Sequence, residues 1–429
     1  MVEPSGGRIG QDERGRRARG SVGRTTRRVV KTLAALLSAA VVVVTAYGWS
    51  TAGSFDAGFL RSGAIGDDAP RSLGGDLNIL LIGLDTRRDQ DGNELPREVL
   101  DQLHAGDGDE GGYNANTLIL VHIPAAMNKI VAVSIPRDDY VPVRGIPGYT
   151  HAKIKEAYGL RKAAVQDQLI ARGVTDQRKL EQAGREAGRA STVAAVRDLT
   201  GVPIDRFAEV TLAGFYDLAA ALGGVEVCLN APVRDSEFSG ADFPAGRQHL
   251  NPAQALAFVR QRHGLENGDL DRTHRQQAFL TSVARQLHVA GTLTDPGRLS
   301  ALMDVAHRNI VLSDGWNMTD FVRTLGDADD PQVEFRTLPV LRYDVINGQD
   351  VNIVDRSAIR REIAVAFGLP VPTSTARRTG QRTQPPAAWS PELTAGGWQT
   401  STTAPEPETP DAGKPVRGGI TSGQLPCVN

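Results

Sequence analysis

Cysteine is nearly absent. Two occur in 429 residues, Cys228 and Cys427, and neither belongs to a CxxC pair or a zinc-type spacing. That leaves thiolate metal centres and dithiol redox chemistry without a motif. In an oxidising compartment an isolated pair reads as a disulfide. Here it would pin the C-terminus to the strand-like run 225–229; two free thiols are the other reading. Histidine is also sparse, with 8 in the chain. His249, His263 and His274 stand near an arginine-rich segment and read as surface or packing residues. No Walker loop, GxGxxG, GxSxG or HExxH motif occurs, so nucleotide, serine-hydrolase and zinc-protease chemistry lack support. No internal repeat is evident.

The net charge of -2 hides an asymmetry. Arg8, Arg14, Arg16, Arg17, Arg19, Arg24, Arg27 and Arg28 face only Glu3, Asp12 and Glu13 near the start. No aromatic residue interleaves them, which argues against nucleic-acid recognition. Residues 32–55 then contain no charged side chain. A run of roughly twenty such residues spans a bilayer. Tyr47 and Trp49 sit where an interfacial belt lies, and the preceding arginines keep the N-terminus cytoplasmic. A cleaved signal peptide, with Ser50-Thr51-Ala52 as its cleavage site, is the competing reading.

The chain therefore divides into an Arg-rich cytoplasmic segment 1–30, a transmembrane helix 31–52 and a linker 53–72. An extracytoplasmic domain follows at 73–370, then a Pro/Thr/Gly-rich disordered tail 371–429. Short apolar runs at 77–84, 117–123 and 130–135 read as strands. The polar insertion 88–113 separates the first two. Its run 107–112 loosely resembles a calcium loop but misses the register, and reads as solvated. Residues 151–200 read as helical. Strand, helix and strand follow at 207–212, 213–222 and 225–229, the helix closed by Gly223-Gly224. Pro252 opens a helix, 272–289 and 299–309 are helical, 333–340 is a strand and 356–367 a last helix. Alternating strands and helices predict an α/β fold with a central mixed β-sheet flanked by helices.

The chemistry concentrates between residues 258 and 277. Arg260, Arg262, Arg272 and Arg275 emerge from apolar surroundings there, with Asp269 and Gln276 beside them. Guanidinium groups in such a setting need an anionic partner, and their fork matches phosphate. Arg260 and Arg262 point the same way if that stretch is extended. Asp269, Arg272 and Gln276 share one helical face. A solvated ion-pair helix is the plainer alternative. Two strand ends repeat the theme: Gly83-Leu84-Asp85-Thr86-Arg87 and Ser134-Ile135-Pro136-Arg137-Asp138-Asp139. Ligands of open α/β sheets bind outside the carboxyl ends of strands. Arg87, Arg137, Arg260, Arg262 and Arg272 would then meet on one rim with Asp85, a set suited to pyrophosphate and magnesium.

With these segments in view, the chain resembles the LytR-CpsA-Psr family. The matching motifs run in order over residues 77–280. They are Asn78-Ile79-Leu80-Leu81-Ile82-Gly83-Leu84-Asp85-Thr86-Arg87, Leu120-Val121-His122-Ile123, Ser134-Ile135-Pro136-Arg137-Asp138 and Lys153-Ile154-Lys155-Glu156-Ala157. Then come Ala221-Leu222-Gly223-Gly224-Val225, Ala245-Gly246-Arg247-Gln248-His249-Leu250, Gln254-Ala255-Leu256-Ala257-Phe258-Val259-Arg260-Gln261-Arg262 and the stretch 269–277. The resemblance implies a phosphotransferase with a single membrane span and an outer catalytic domain. Such an enzyme moves a glycopolymer from a polyprenyl-pyrophosphate carrier to a peptidoglycan hydroxyl. It implies pyrophosphate binding by Arg87, Arg137, Arg260, Arg262, Arg272 and Gln276. It implies catalytic roles for Asp85, Arg137, Arg260, Arg262, Asp269 and Arg272, with Asp85 or Asp269 as base. Magnesium (or manganese) would sit on Asp85 and Asn116. There the chain departs: the family's Arg-x-Asp-Thr reads Asn114-Ala115-Asn116-Thr117. The insertion 88–113 and the stretch 172–189 resemble mycobacterial and related actinobacterial members, which implies arabinogalactan as the glycan, joined by a phosphodiester to muramic acid. A prenyl chain needs an apolar tunnel, for which 213–222 and 253–259 offer linings. A carrier pyrophosphatase and a non-catalytic glycan-binding protein are the alternatives.

Overall fold

An eight-stranded sheet organises the chain. The computed structural model describes residues 56–104, 112–261, 263–265, 269–289, 296–326, 332–371, 416–419, 425 and 427–429. The N-terminus 1–30, the span expected at 31–52, the run 107–111 and Arg262 lie outside them. Among the described residues no helix is long and apolar enough to cross a membrane.

The sheet order is β1 (Leu60–Ser62), β12 (Ile310–Ser313), β7 (Arg206–Thr211), β2 (Leu77–Asp85), β3 (Asn114–Ile123), β4 (Lys129–Ser134), β13 (Gln332–Thr337) and β16 (Val416–Gly419). β2 and β7 are parallel, as are β4 and β13, while β3 runs antiparallel between β2 and β4. The sheet is mixed, as the sequence predicts. β2 reads as a near-continuous apolar run because both of its faces are covered. Leu80 and Ile82 face one core; Ile79 and Leu81 face another. The first core is closed by α2 (Glu156–Ala171), α3 (Gln177–Thr200) and α9 (Arg356–Ala366). Across the sheet lie α4 (Leu212–Ala221), α5 (Pro252–Arg260), α6 (Asp269–Val289), α7 (Pro296–Asn309) and α8 (Met318–Gly326). Local signals fix two of these. The Thr211 side chain accepts from Gly214 N at the start of α4. Asn251 and Gln254 form a reciprocal capping box on α5, with Pro252 in its first turn.

Several boundaries differ from expectation. Residues 53–72 are not merely a linker, since β1 pairs parallel with β12. The insertion holds a short helix, α1 (Arg97–Gln102), whose Leu100 is buried, as is Leu103 just after it. Residues 151–200 split into α2 and α3, with Gly173 at φ +84° between them. A hairpin of β5 (Tyr140–Pro142) and β6 (His151–Lys153) precedes them. Two further hairpins, β9 (Val233–Asp235) with β10 (Ala241–Phe243) and β14 (Arg342–Ile346) with β15 (Gln349–Ile353), are built from strands of three and five residues that the sequence reading did not assign. The disordered tail of 371–429 needs correction at its end. β16 pairs with β13, and β17 (Cys427–Val428) pairs with β8 (Val225–Leu229), which also pairs with β11 (Gly246–Leu250). Cys228 and Cys427 are opposite in that register and joined as a disulfide, with Cα atoms 4.3 Å apart. Arg275 Nε donates to the Asn429 carbonyl beside it.

A buried ion network fastens α3 to the sheet. Arg189 meets the fully buried Glu209 of β7 in a two-pronged contact, Nε to Oε2 and Nη2 to Oε1, both 3.0 Å. Arg185 Nε donates to Glu181 Oε1 at 2.7 Å, and its Nη2 donates to the Asp89 carbonyl at 2.5 Å. The loop after β2 is thereby tied to α3. Burial lifts the Tyr113 hydroxyl well above its ordinary pKa, and its bond to Glu181 adds to that.

Breaking such a pair strands a charge in the core, a loss of about 3–5 kcal/mol. Arg189→Ala should lower unfolding stability by that order in denaturant titration, and adding Glu209→Gln should recover part of it. Peptide mapping without reductant should recover linked peptides of Cys228 and Cys427, and Cys427→Ser should cost about 2–4 kcal/mol. Two thiols open to alkylation in the native protein would contradict the pairing.

Candidate functional site

Three strand ends and one helix face meet at Asn116. β3 runs antiparallel to β2, so its first residues lie beside the end of β2, with Asp85 opposite Asn114. A β-bulge at Gly83/Leu84 bends this end. Gly83 is required there: a Cβ would lie 2.8 Å from Thr117 Cβ. Asn116 Nδ2 donates to Asp85 Oδ2 at 2.7 Å. Arg137, just past β4, donates from Nη1 to Asn116 Oδ1 at 2.7 Å. Arg272 Nη2 reaches the Asn116 carbonyl at 3.4 Å. Arg87 Nη1 lies 3.4 Å from Asp85 Oδ1. One turn along α6, Gln276 Nε2 donates to Thr117 Oγ1 at 3.0 Å and to the Val259 carbonyl at 3.3 Å. It ties α5, α6 and β3 together.

Arg260 arrives differently. It ends α5, so Arg260 itself is helical, with Gln261 leaving the helix at φ -55° and ψ 139°; Arg262 lies outside the described residues. Its Nη1 donates to the Leu103 carbonyl at 2.6 Å, at the C-terminal and therefore partly negative end of α1. Burial pulls its pKa below the ordinary value; Asp85 opposes the shift and Arg87 adds to it. A desolvated guanidinium of this kind gains from an incoming anion. Asp138 follows Arg137 just past β4. It lies 3.4 Å from Arg137 Nε and 2.7 Å from Lys155 Nζ. Burial alone would raise its pKa; Lys155 and Arg137 outweigh that and hold it below the usual carboxylate value.

These groups rim a cavity of ≈ 410 Å³. Asp85, Asn116, Arg137, Arg260, Arg272 and Gln276 line it, so six expected residues share one space. Arg87 joins through its bond to Asp85. Asp269 opens α6. The interior is apolar. Leu81, Ala208 and Val210 form a sheet floor that is only half-buried, under Phe215, Leu218, Phe279 and Leu280. The Phe215 and Phe279 rings are 4.8 Å apart. A cleft of this size and apolar lining is a candidate binding volume. Leu256 and Val259 also line it, which bears on the tunnel expected from 213–222 and 253–259.

The sequence reading missed other residues around the site. Glu209 sits among inward-facing positions of β7, with Phe207 and Thr211. That alternation marks it as a buried acid, but its partner Arg189 comes from another element. His263, read as ordinary, lines the cavity with its ring 4.1 Å from that of Phe238. No spacing announced it.

Asp85 and Asn116, the pair expected to hold magnesium, do not fit a metal held by protein groups alone. Their side chains bond to each other, and Arg137 takes the Asn116 oxygen. Among the described residues no group of three or more His, Cys, Asp or Glu side chains is placed to hold an ion. The position offers one carboxylate where an Asn116→Asp variant would offer two in contact. Two such carboxylates need a counter-charge. Thermal unfolding of the wild type should be unmoved by millimolar magnesium, while Asn116→Asp should be less stable without the ion and regain stability with it. An equal response in both proteins would contradict this account of Asn116.

The LytR_cpsA_psr family model matches residues 66–363. The cell wall biosynthesis protein LcpA of Corynebacterium glutamicum is 39% identical over 346 residues, covering 79% of this chain and 66% of that protein. The probable cell wall biosynthesis protein LcpB of the same organism is 29% identical over 273 residues, 63% of this chain and 56% of LcpB. The chain thus spans less than two thirds of the length of either relative. The polyisoprenyl-teichoic acid–peptidoglycan teichoic acid transferase TagU of Bacillus cereus is 26% identical over 259 residues, 60% of this chain and 68% of TagU. Protein gbs0355 of Streptococcus agalactiae shares the fold at a TM-score of 0.51 and 20% identity, over 70% of this chain and 90% of that one. On the matched family model and the identity to LcpA, this chain belongs to the LytR-CpsA-Psr family.

Proposed function

We propose that the protein is a phosphotransferase of cell-wall assembly. It moves a glycopolymer from a polyprenyl-pyrophosphate carrier to a hydroxyl of peptidoglycan. One observation carries this reading: a single cavity joins an apolar interior to a rim of Arg137, Arg260 and Arg272. A prenyl diphosphate has that same division between tail and head. The name of TagU supplies the reaction class by analogy. Arabinogalactan as the glycan, and muramic acid as the acceptor, follow from the resemblance of 88–113 and 172–189 to actinobacterial members. In this reading the domain stands outside the membrane on one span at 31–52.

The chemistry needs charge neutralisation and alignment more than covalent help. The prenyl chain lies over Leu81, Ala208 and Val210. The diphosphate meets the guanidinium groups of the rim. The acceptor hydroxyl oxygen bonds to the phosphorus that carries the glycan. The bond from that phosphorus to the bridging oxygen breaks, and prenyl monophosphate leaves with the electron pair. The hydroxyl proton passes to Asp85, the rim carboxylate nearest Asn116. Arg137 and Arg272, both held on Asn116, stabilise charge on the transferring and leaving oxygens.

The test combines the full chain in detergent, a synthetic polyprenyl-pyrophosphate oligosaccharide and a peptidoglycan fragment, followed by mass spectrometry. The expected product is a phosphodiester-linked conjugate, reduced about 100-fold or more in Arg137→Ala. Free prenyl phosphate without conjugate would mean a pyrophosphatase. Unchanged donor would mean a binding protein and end the transferase reading.

A further inference from the structure

A second cavity, of ≈ 530 Å³, lies next to the first. One side is Pro136, Asp138 and Thr273; the other is the β14–β15 hairpin, with Tyr343, Asp344 and Asp350. The two cavities share a wall. Arg137 lines the first, and its neighbours Pro136 and Asp138 line the second. Arg272 lines the first, and Thr273 lines the second.

The hairpin is fastened to that wall. Asn352 N donates to the Asp138 carbonyl at 2.9 Å, and its Nδ2 donates to Asp139 Oδ1 at 3.1 Å. What it presents is unusual for a small surface hairpin. Leu341, Tyr343 and Val345 are 56%, 60% and 61% exposed. They alternate along one edge, so they share a face. Asp344 and Asp350 stand beside them in the cavity wall. Aromatic and aliphatic surface interleaved with carboxylates suits a carbohydrate. Sugar C–H faces can lie on Tyr343, and hydroxyl and N-acetyl N–H groups can donate to Asp350, whereas Asp344 is engaged by Arg342 and by the Val345 amide, both at 2.9 Å. The two cavities present different groups. Arg137, Arg260 and Arg272 rim the first, which suits phosphate. The second presents Tyr343 and Asp350, while its Asp138 is paired with Arg137 and Lys155 and its Asp344 with Arg342.

We propose that the second cavity is the acceptor subsite, where a glycan strand stacks on Tyr343 and bonds to Asp350 across the Arg137–Asp138 wall from the diphosphate. The assignment rests on the transferase reading for the word acceptor. Its physical content is glycan binding at a stated place. Transfer requires the nucleophile to approach phosphorus opposite the leaving group, so donor and acceptor need separate, adjoining volumes. The shared wall provides that arrangement.

The test uses the full chain in detergent and a peptidoglycan tetrasaccharide carrying its stem peptides. Equilibrium binding of the tetrasaccharide is measured without donor, for wild type, Tyr343→Ala, Tyr343→Phe and Asp350→Asn. Tyr343→Ala should weaken binding about tenfold, Tyr343→Phe should keep most of it, and Asp350→Asn should fall between. Prenyl diphosphate binding should be the same in all four. In the transfer assay the acceptor KM should rise with the loss of affinity, while donor KM stays constant. Equal tetrasaccharide binding in wild type and Tyr343→Ala, or none by wild type, would overturn the subsite. Binding that follows this order without any transfer would leave the glycan site standing and remove the transferase reading instead.

Discussion

The 2.7 Å hydrogen bond from Asn116 to Asp85 fixes the rim, because the same side chain accepts from Arg137 and the same residue's carbonyl faces Arg272. An amide can serve both neighbours at once: its nitrogen donates to a carboxylate while its oxygen accepts from a guanidinium. A carboxylate there would pair with Arg137 but repel Asp85. Asn116 thus holds acid and base together in a small, half-buried space with little net repulsion. Arg137 and Arg272 are thereby positioned at the cavity, which both line. Positioning of this kind is what charge stabilisation in a transfer reaction depends on.

The apolar half of the cavity depends on a different constraint. β7 runs parallel to β2 and presents Ala208 and Val210 to the cavity, while Phe207 and Glu209 face the opposite side. Glu209 is paired there by Arg189 from α3, with Arg185 4.0 Å away. The ion network therefore acts beyond its own helix. It holds β7 and, through Arg185, the loop that follows Asp85 and carries Arg87 and Arg88. The stretch 172–189 is the part of the chain that supplies this clamp. Its buried charges specify one docking geometry for α3, since a shifted helix would leave Glu209 unpaired in the core.

Much of this was legible in the sequence, for physical reasons that can be named. Asp85 and Arg137 follow short apolar runs, so their place at strand ends was readable. Arg272 and Gln276, four apart, had to share a helical face. The mixed sheet followed from alternating runs. What was not legible depends on distant pairing. β1 has three residues and exists because β12 lies beside it. β16 reads Val416-Arg417-Gly418-Gly419, with little apolar character, yet it completes the sheet edge on β13. Arg260 looked like part of an extended run because its helix ends at that residue, and a C-terminus lacking glycine gives a weak stop signal. The bond of Arg260 to the end of α1 could not be read, since the insertion had no recognisable helix signature. Asn116 was seen as a lost metal ligand; its role as the meeting point of three charged side chains needed coordinates.

The central claim is that one cavity takes both halves of a prenyl diphosphate. The most direct measurement is photo-crosslinking of the full chain with a prenyl diphosphate that carries a diazirine in its tail, followed by peptide sequencing. The account predicts saturable labelling on Phe215, Leu218, Phe279 or Leu280, competed by unlabelled prenyl diphosphate and much less by a prenol lacking phosphates. Labelling spread over other surfaces, or equal competition by the prenol, would contradict it.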